Sequence, residues 1–183
     1  MLSKLSSAAI GLVVAAFMLY FPYEWCKRRG EPEEIYGLKW FLTSKSKRDV
    51  IIALAVTLIP LTVITFYWPY EWGGRGLKHP TLWQALDYLG GGIAAAFIEE
   101  TFFRGWLQTL TVKKFGVYFG IFITTLIFAL SHLIALTGWL RVATFFPGIV
   151  MGILRHRGGS VLPSIIYHAV CNVWAVWFAP IVV

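Results

Sequence analysis

The sequence contains few charged residues for its length. Asp, Glu, Lys and Arg make up 14% of its 183 residues, whereas soluble domains average about 25%. Hydrophobic residues make up 58%, and the mean hydropathy is +0.69. This composition excludes an ordinary soluble domain. We therefore predict a single integral membrane domain over residues 1–183.

Cysteine is scarce as well, with only Cys26 and Cys171 in the chain. One flanks a predicted helix and the other lies inside one, which excludes a disulfide framework and a cysteine-based metal site. The first residues also lack a signal peptide's pattern, because Lys4 is the only early charge and no small-residue cleavage site follows. We therefore interpret the first apolar segment as a membrane span.

Acidic residues are outnumbered by basic ones, nine against sixteen, and the formal net charge is +7. The basic residues lie in predicted loops between apolar segments. This distribution favours the anionic surface of a lipid bilayer as the partner. We expect no binding of nucleic acid.

Long apolar segments predict an all-α fold, namely a polytopic transmembrane helix bundle of about six spans with one short interfacial helix. Residues 1–80 hold two spans and a basic loop, and residues 90–178 hold the remaining spans. We expect the three glycines at 90–92 to separate the interfacial helix from the third span. The interfacial helix is Leu82–Tyr88, and the spans are Leu5–Tyr23, Val50–Trp68, Ile93–Val112, Val117–Leu136, Leu140–Leu154 and Val161–Phe178.

Loop charge predicts the orientation of this bundle. Eleven Lys and Arg residues lie in the loops after the first, third and fifth spans, and four lie on the opposite side. By the positive-inside rule the basic loops are cytoplasmic. We expect an integral protein of a prokaryotic inner or plasma membrane.

Two adjacent carboxylates and one arginine interrupt the third apolar segment. Glu100 and Arg104 are four residues apart, so on a helix they share a face and can pair. Glu99 points about 100° away from Glu100 on the same helix. Ionisable groups inside a membrane are costly and often functional. A Glu100–Arg104 pair could be purely structural, which leaves Glu99 as the stronger candidate for chemistry.

Polar side chains of two further helices are expected at the depth of Glu99. An antiparallel hairpin that turns near Phe115 places Glu99 and His132 about 24 Å from the turn, at about 1.5 Å per residue. His168 and Asn172 are four residues apart and share a face of the last helix. We therefore predict one polar cluster in the outer half of the bilayer.

Each of these polar side chains also has a structural explanation. His132 could bond a neighbouring backbone carbonyl, and His168 with Asn172 could join two helices. Gly148 and Gly152 indicate close helix packing. The cluster could also serve a small proton- or ion-coupled transporter, or belong to a non-catalytic membrane adaptor. A transporter needs a polar path, whereas the cytoplasmic halves of these spans are mainly apolar.

Four motifs follow one another in the second half of the chain. They are Glu99-Glu100-x-x-x-Arg104, Phe128-x-x-x-His132, Gly148-x-x-x-Gly152 and His168-x-x-x-Asn172. In this order they resemble the CAAX protease and bacteriocin-processing family (CPBP, also called Abi) of intramembrane endopeptidases. The resemblance covers about half of the chain and implies a catalytic core over residues 90–178.

The resemblance implies hydrolysis of a peptide bond in a membrane-associated protein or peptide, such as a C-terminal sorting tail. Glu99 and His132 would activate a water. His168 and Asn172 would stabilise the oxyanion. The supporting residues would be Glu100 and Arg104.

A zinc enzyme is the alternative to this water-activating mechanism. Hydrolytic zinc sites use three protein ligands and a water, and the ligands here would be Glu99, His132 and His168. The sequence lacks the His-Glu-x-x-His spacing of zincins, which takes two ligands from one helical face. We therefore expect no metal or other cofactor and a glutamate-type peptidase.

Overall fold

The computed structural model describes residues 2–67, 79–135 and 139–178, and these residues form helices without any β-strand. The all-α prediction is confirmed. Among these residues, Ala9–Arg29 is the one helical segment long and apolar enough to cross a membrane. Val117–Leu133 and Leu162–Phe178 are shorter apolar helices. The number of spans therefore stays a prediction, and the predicted loop at 69–80 lies mostly outside the described residues.

The described residues form seven α-helices, and short helical segments of other types lie between some of them. The α-helices are α1 (Leu2–Arg29), α2 (Ser44–Tyr67), α3 (Leu82–Glu100), α4 (Gln108–Phe115), α5 (Val117–Ala135), α6 (Phe145–Gly158) and α7 (Leu162–Phe178). A π-helix, Thr101–Leu107, connects α3 to α4, and 3₁₀-helices span Glu33–Tyr36 and Trp139–Thr144. The main core cluster joins five of these elements through Val50, Phe103, Phe128, Met151, Leu154 and Tyr167.

The predicted break before the third span is wrong, because α3 is continuous from Leu82 through the glycines at 90–92 to Glu100. Thr81 and Gln84 form a capping box that starts this helix. Gly92 packs directly against α7, where a Cβ would lie 3.0 Å from Asn172 Cβ. The glycine therefore permits a close helix contact, and the predicted interfacial helix is the first part of α3.

The predicted third span also changes helix type after Glu100. Residues 101–107 form the π-helix, and α4 then continues to Phe115. π-Helices are rare and are found preferentially at functional sites. Gly105 in this segment packs against Leu38, whose Cδ2 would lie 2.7 Å from a Cβ at that position. Part of the basic loop therefore packs against the helix that carries the glutamates.

The predicted turn near Phe115 is confirmed. Gly116 has a φ of 79°, a conformation that glycine adopts without steric cost, and it alone connects α4 to α5. The two helices are in close contact, because a Cβ at Gly120 would lie 2.6 Å from Val112 Cα. The Thr111 and Thr124 hydroxyls are 2.8 Å apart across the same contact. This hairpin fixes the relative height of α3 and α5.

The predicted fifth span, Leu140–Leu154, corresponds to α6, which has different limits. It begins at Phe145 and continues to Gly158, so Arg155 is a buried residue of α6 rather than part of a basic turn. Gly148 and Gly152 pack against α5 as their spacing predicts. A Cβ at Gly148 would lie 2.7 Å from Thr125 Cγ2, and one at Gly152 would lie 2.7 Å from Ile121 Cγ2.

Candidate active site

Three of the four predicted catalytic side chains meet at one carboxylate oxygen. Glu99 Oε2 lies 3.9 Å from His132 Nε2 and 3.9 Å from His168 Nε2. This oxygen is buried and has no hydrogen-bond partner. The predicted common depth of Glu99 and His132 is therefore confirmed, and it follows from the hairpin at Gly116.

His132 is oriented by the backbone of its own helix. Its Nδ1 lies 2.9 Å from the Phe128 carbonyl oxygen, one turn earlier in α5. Because a carbonyl oxygen can only accept, we assign the proton to Nδ1. The other nitrogen, Nε2, is then the one that faces Glu99. His132 can therefore bond the backbone carbonyl, as one of its predicted roles required, and still face Glu99.

His168 is oriented by Glu100, a contact that the sequence analysis missed. His168 Nδ1 lies 3.0 Å from Glu100 Oε1, and the carboxylate must accept this hydrogen bond if it is ionised. The Glu100 side chain is 0% exposed and that of His168 is 8% exposed. Adjacent glutamates point about 100° apart on a helix. From this angle the sequence could have predicted that Glu99 and Glu100 contact different histidine nitrogens.

The predicted pair of Glu100 and Arg104 is present and fully buried. Glu100 Oε1 lies 3.2 Å from Arg104 Nη1, and both side chains are 0% exposed. Arg104 Nη2 donates to the Gly148 carbonyl at 3.2 Å. Close packing at Gly148 makes this bond possible, since a Cβ there would lie 3.2 Å from the same nitrogen.

Phe128 connects the arginine to both histidines, which its place in the motif did not indicate. The Arg104 guanidinium carbon lies 4.1 Å from the centre of the Phe128 ring, a favourable cation–π distance. The ring centres of His132 and His168 lie 4.5 Å and 6.0 Å from that of Phe128. Phe128 is 1% exposed, so it forms the apolar floor of the site.

Exposure distinguishes the two glutamates. The side chains of Glu99 and His132 are 25% and 16% exposed, whereas Glu100 is completely enclosed. Glu99 and His132 therefore form the accessible side of the acid–histidine cluster, which we define as Glu99, Glu100, His132 and His168. The Glu99 side chain is thus partly open, although its Oε2 atom is buried, and Glu100 is fully enclosed.

Asn172 lies one turn beyond His168 on α7 and bonds the backbone of α3. Its Nδ2 donates to the Gly92 carbonyl oxygen at 2.8 Å. This bond occupies one of the two amide hydrogens. The interhelical contact foreseen for Asn172 is present, and the second amide hydrogen is the one available to a ligand.

The donor set has the chemistry of a zinc site but not its spacing. Tetrahedral zinc with bonds of about 2.0–2.2 Å places its ligand atoms about 3.3 Å apart, whereas Glu99 Oε2 is 3.9 Å from each histidine nitrogen. In the described parts of the chain, no three His, Cys, Asp or Glu side chains are arranged to hold a metal ion. The expectation of a cofactor-free enzyme stays a prediction.

Comparison with protein families gives a match that includes the whole cluster. The family model described as Rce1-like, type II CAAX prenyl endopeptidase Rce1-like, matches residues 81–174. This match covers more than half of the chain. The chain belongs to this family. Searches of curated proteins and of solved structures gave no match.

Family membership confirms the resemblance that the four motifs indicated. The Rce1-like members are membrane proteins, and this chain is accordingly a membrane protein with an apolar helix at Ala9–Arg29. At the level of the family it is a CAAX-type peptide hydrolase with a peptide or protein substrate in the membrane. The matched region starts at Thr81, so α1 and α2 lie outside it.

Proposed function

We propose that the chain is an intramembrane endopeptidase of the glutamate type, in which Glu99 and His132 activate the attacking water. The observation that carries the proposal is the approach of two histidine nitrogens to Glu99 Oε2 at 3.9 Å each. This separation is too long for a direct hydrogen bond, so the buried Oε2 has no donor among the described residues, and we propose that a water enters to supply one. A water held between carboxylate and imidazole can lose its proton to either group as it attacks a peptide carbonyl.

His168 and Asn172 would stabilise the oxyanion that this attack creates. Glu99, Glu100 and Arg104 together carry one uncompensated negative charge when all three are ionised, and one protonated imidazole would balance it. Since His168 Nδ1 bonds Glu100, a protonated His168 would present its Nε2 hydrogen to the substrate oxygen. Oxyanion donors of this kind contribute about 3–4 kcal/mol to the transition state.

A membrane-associated protein or peptide is the proposed substrate, and a C-terminal sorting tail is its proposed form. Such a tail ends in a spanning helix followed by basic residues. We also propose that the basic loops face the cytoplasm of a prokaryotic cell and that the cluster lies in the outer half of the membrane. An active site at that depth would cut the tail near its extracytoplasmic end.

Replacement of Glu99 by Gln tests the proposal, because the amide has nearly the same shape but cannot accept the proton. Membrane fractions of cells with the wild-type chain or Glu99→Gln would be compared by proteomics for peptides that end at new cleavage sites. Asp87→Asn is the matched control, since Asp87 is an exposed acid on the same helix.

We expect the cleavage products to disappear in Glu99→Gln and to persist in Asp87→Asn. Equal turnover of Glu99→Gln and wild type would contradict the proposed base. Unchanged products in every variant would favour the alternatives, a non-catalytic membrane adaptor or a small ion-coupled transporter. Zinc held by Glu99, His132 and His168 remains the alternative to a cofactor-free mechanism.

A further inference from the structure

Arg155 is a buried arginine that has no acidic partner among the described residues. It is 8% exposed, and the ion pairs within ranges 2–67, 79–135 and 139–178 do not include it. Its Nη2 makes two long hydrogen bonds, 3.4 Å to the Ile35 carbonyl and 3.5 Å to Thr109 Oγ1. Its Nε has no partner. Burial of an uncompensated guanidinium costs free energy, and a bound anion would reduce this cost.

Arg155 lines a cavity of about 230 Å³ between α4, α6 and the 33–36 helix. Lys113 and His156 also line this cavity, together with the Thr109 hydroxyl. A water molecule occupies about 30 Å³ in the liquid, so the cavity is large enough for a tetrahedral anion. Two basic side chains, an imidazole and a hydroxyl are donors that suit the oxygens of a phosphate group.

Helix dipoles do not explain this arrangement. Basic residues in the last turn of a helix are favoured by its dipole, and this accounts for exposed residues such as Lys114 and Arg157. The effect does not require burial, whereas Arg155 lies inside the protein. Glu31 lies 3.9 Å from Lys113, but no ion pair in the described parts of the chain includes Arg155.

We propose that this cavity is a binding site for a phosphate group, supplied either by a lipid headgroup or by free phosphate. The site lies beside the acid–histidine cluster and not within it: Arg104, which pairs with Glu100, also lines the cavity, whereas Thr109 follows Glu99 by ten residues, or about 15 Å at 1.5 Å per residue. The Arg155 guanidinium would bind two phosphate oxygens in its planar fork. Lys113 and His156 would face the remaining oxygens.

Thermal unfolding of the purified full chain in a neutral detergent tests this site. One arm adds inorganic phosphate, with sodium chloride and sodium acetate at matched ionic strength as control salts. A second arm transfers the protein to phosphatidylcholine nanodiscs with or without phosphatidic acid. The variants are Arg155→Gln and, as the matched control on the same helix, Arg157→Gln. Thr109→Val keeps Arg155 and serves if Arg155→Gln does not fold.

We expect phosphate to stabilise wild type and Arg157→Gln more than the control salts do, or phosphatidic acid to stabilise them more than phosphatidylcholine alone. Binding should be at least tenfold weaker in Arg155→Gln or Thr109→Val. Stabilisation by both ligands identifies a general phosphate site, and stabilisation by phosphatidic acid alone identifies the lipid headgroup.

Three results would overturn the proposal. The first is a wild type that neither ligand stabilises. The second is an acetate effect equal to that of phosphate, and the third is undiminished binding in the variants. The role of Arg155 would then be limited to its hydrogen bond to the Ile35 carbonyl.

Backbone hydrogen exchange gives a second readout on wild type alone. A bound phosphate would order the segment at 33–38, whose Ile35 carbonyl and Gly37 contact Arg155. We expect exchange there to slow when phosphate or phosphatidic acid is added, and not when acetate is added. Unchanged exchange with every ligand would overturn the proposal independently of the variants.

Discussion

Glu100 Oε1 is shared by two partners, His168 Nδ1 at 3.0 Å and Arg104 Nη1 at 3.2 Å. One carboxylate oxygen therefore joins α3, the π-helix and α7. Loss of the negative charge would leave the Arg104 charge uncompensated and would weaken the hydrogen bond from His168. The enclosed glutamate thus supports the accessible one by holding His168 in its orientation.

Glu100→Gln is expected to destabilise the protein, because Arg104 would become an uncompensated buried charge. Breaking a buried ion pair typically costs about 3–5 kcal/mol. The measurement is thermal or denaturant unfolding in detergent. Glu99→Gln is the matched comparison at the neighbouring position and should unfold near the wild-type temperature. An unchanged unfolding temperature for Glu100→Gln would refute the structural role of the shared oxygen.

Gly92→Ala is expected to disturb Asn172, because the new Cβ would lie 3.0 Å from Asn172 Cβ. The two helices must separate slightly, which would weaken the bond from Asn172 to the Gly92 carbonyl and reduce turnover. Gly91→Ala is the control, since nothing lies within 4 Å of a Cβ there. That change should stabilise the helix by up to about 1 kcal/mol. Equal turnover of both variants would show that the α3–α7 distance at Gly92 does not affect catalysis.

The ion pair of Asp49 and Arg157 predicts a pH dependence near the basic end of α6. Arg157 Nε donates to Asp49 Oδ2 at 2.9 Å, and this hydrogen bond lowers the pKa of the Asp49 carboxyl below its usual value. A lowered pKa in the folded state contributes stability that is present above the usual Asp pKa of about 3.9. This contribution is lost as pH falls through the lowered value.

The experiment for this pair compares unfolding of wild type and Asp49→Asn from neutral to acidic pH. Wild type should be slightly more stable at neutral pH, and the difference should disappear in acid. Because the Arg157 side chain is 48% exposed, added salt should reduce the difference at neutral pH. A difference that grows on acidification would have the wrong sign and would rule out this pair as its source.

Chelation is expected to leave activity unchanged. The separations around Glu99 Oε2 are wider than a zinc ligand set requires, and we therefore propose that the side chains alone activate the water. Purified enzyme would be dialysed against a strong chelator, assayed, and assayed again after addition of zinc. Activity that is lost on chelation and restored by zinc would replace the glutamate-type mechanism with the zinc alternative.

The helical fold and the meeting of Glu99, His132 and His168 could be predicted from the sequence. The length of the apolar segments predicted the helices. Counting residues in both directions from the turn at Phe115 predicted that Glu99 and His132 lie at the same depth. The continuous α3 could not be predicted, because three consecutive glycines usually weaken a helix and the contact between Gly92 and Asn172 depends on a helix 80 residues away. The same holds for the bond from His168 to Glu100.

The burial of Arg155 in α6 could not be predicted from the sequence for a similar reason. Its basic neighbours and the glycines at 158 and 159 are typical of a turn, so local sequence indicated a surface loop. Burial of its side chain depends on Ile35 and Gly37, which belong to a distant segment. Packing between segments that are distant in the sequence leaves no periodic pattern. Whether Arg155 is buried therefore depends on contacts that the local sequence does not show.

The π-helix at Thr101–Leu107 has a consequence for insertions and deletions in this region. Arg104 and Gln108 donate to the carbonyls of Gly148 and Gly152 at 3.2 Å and 2.9 Å, so donors four residues apart meet acceptors four residues apart. A π turn holds about one residue more than an α turn. Removal of one residue from this segment would therefore be absorbed by a return to α geometry, which keeps α4 in its rotation and Gln108 at the Gly152 carbonyl. The same deletion inside α4, which is already α-helical, would rotate the residues that follow it by about 100°.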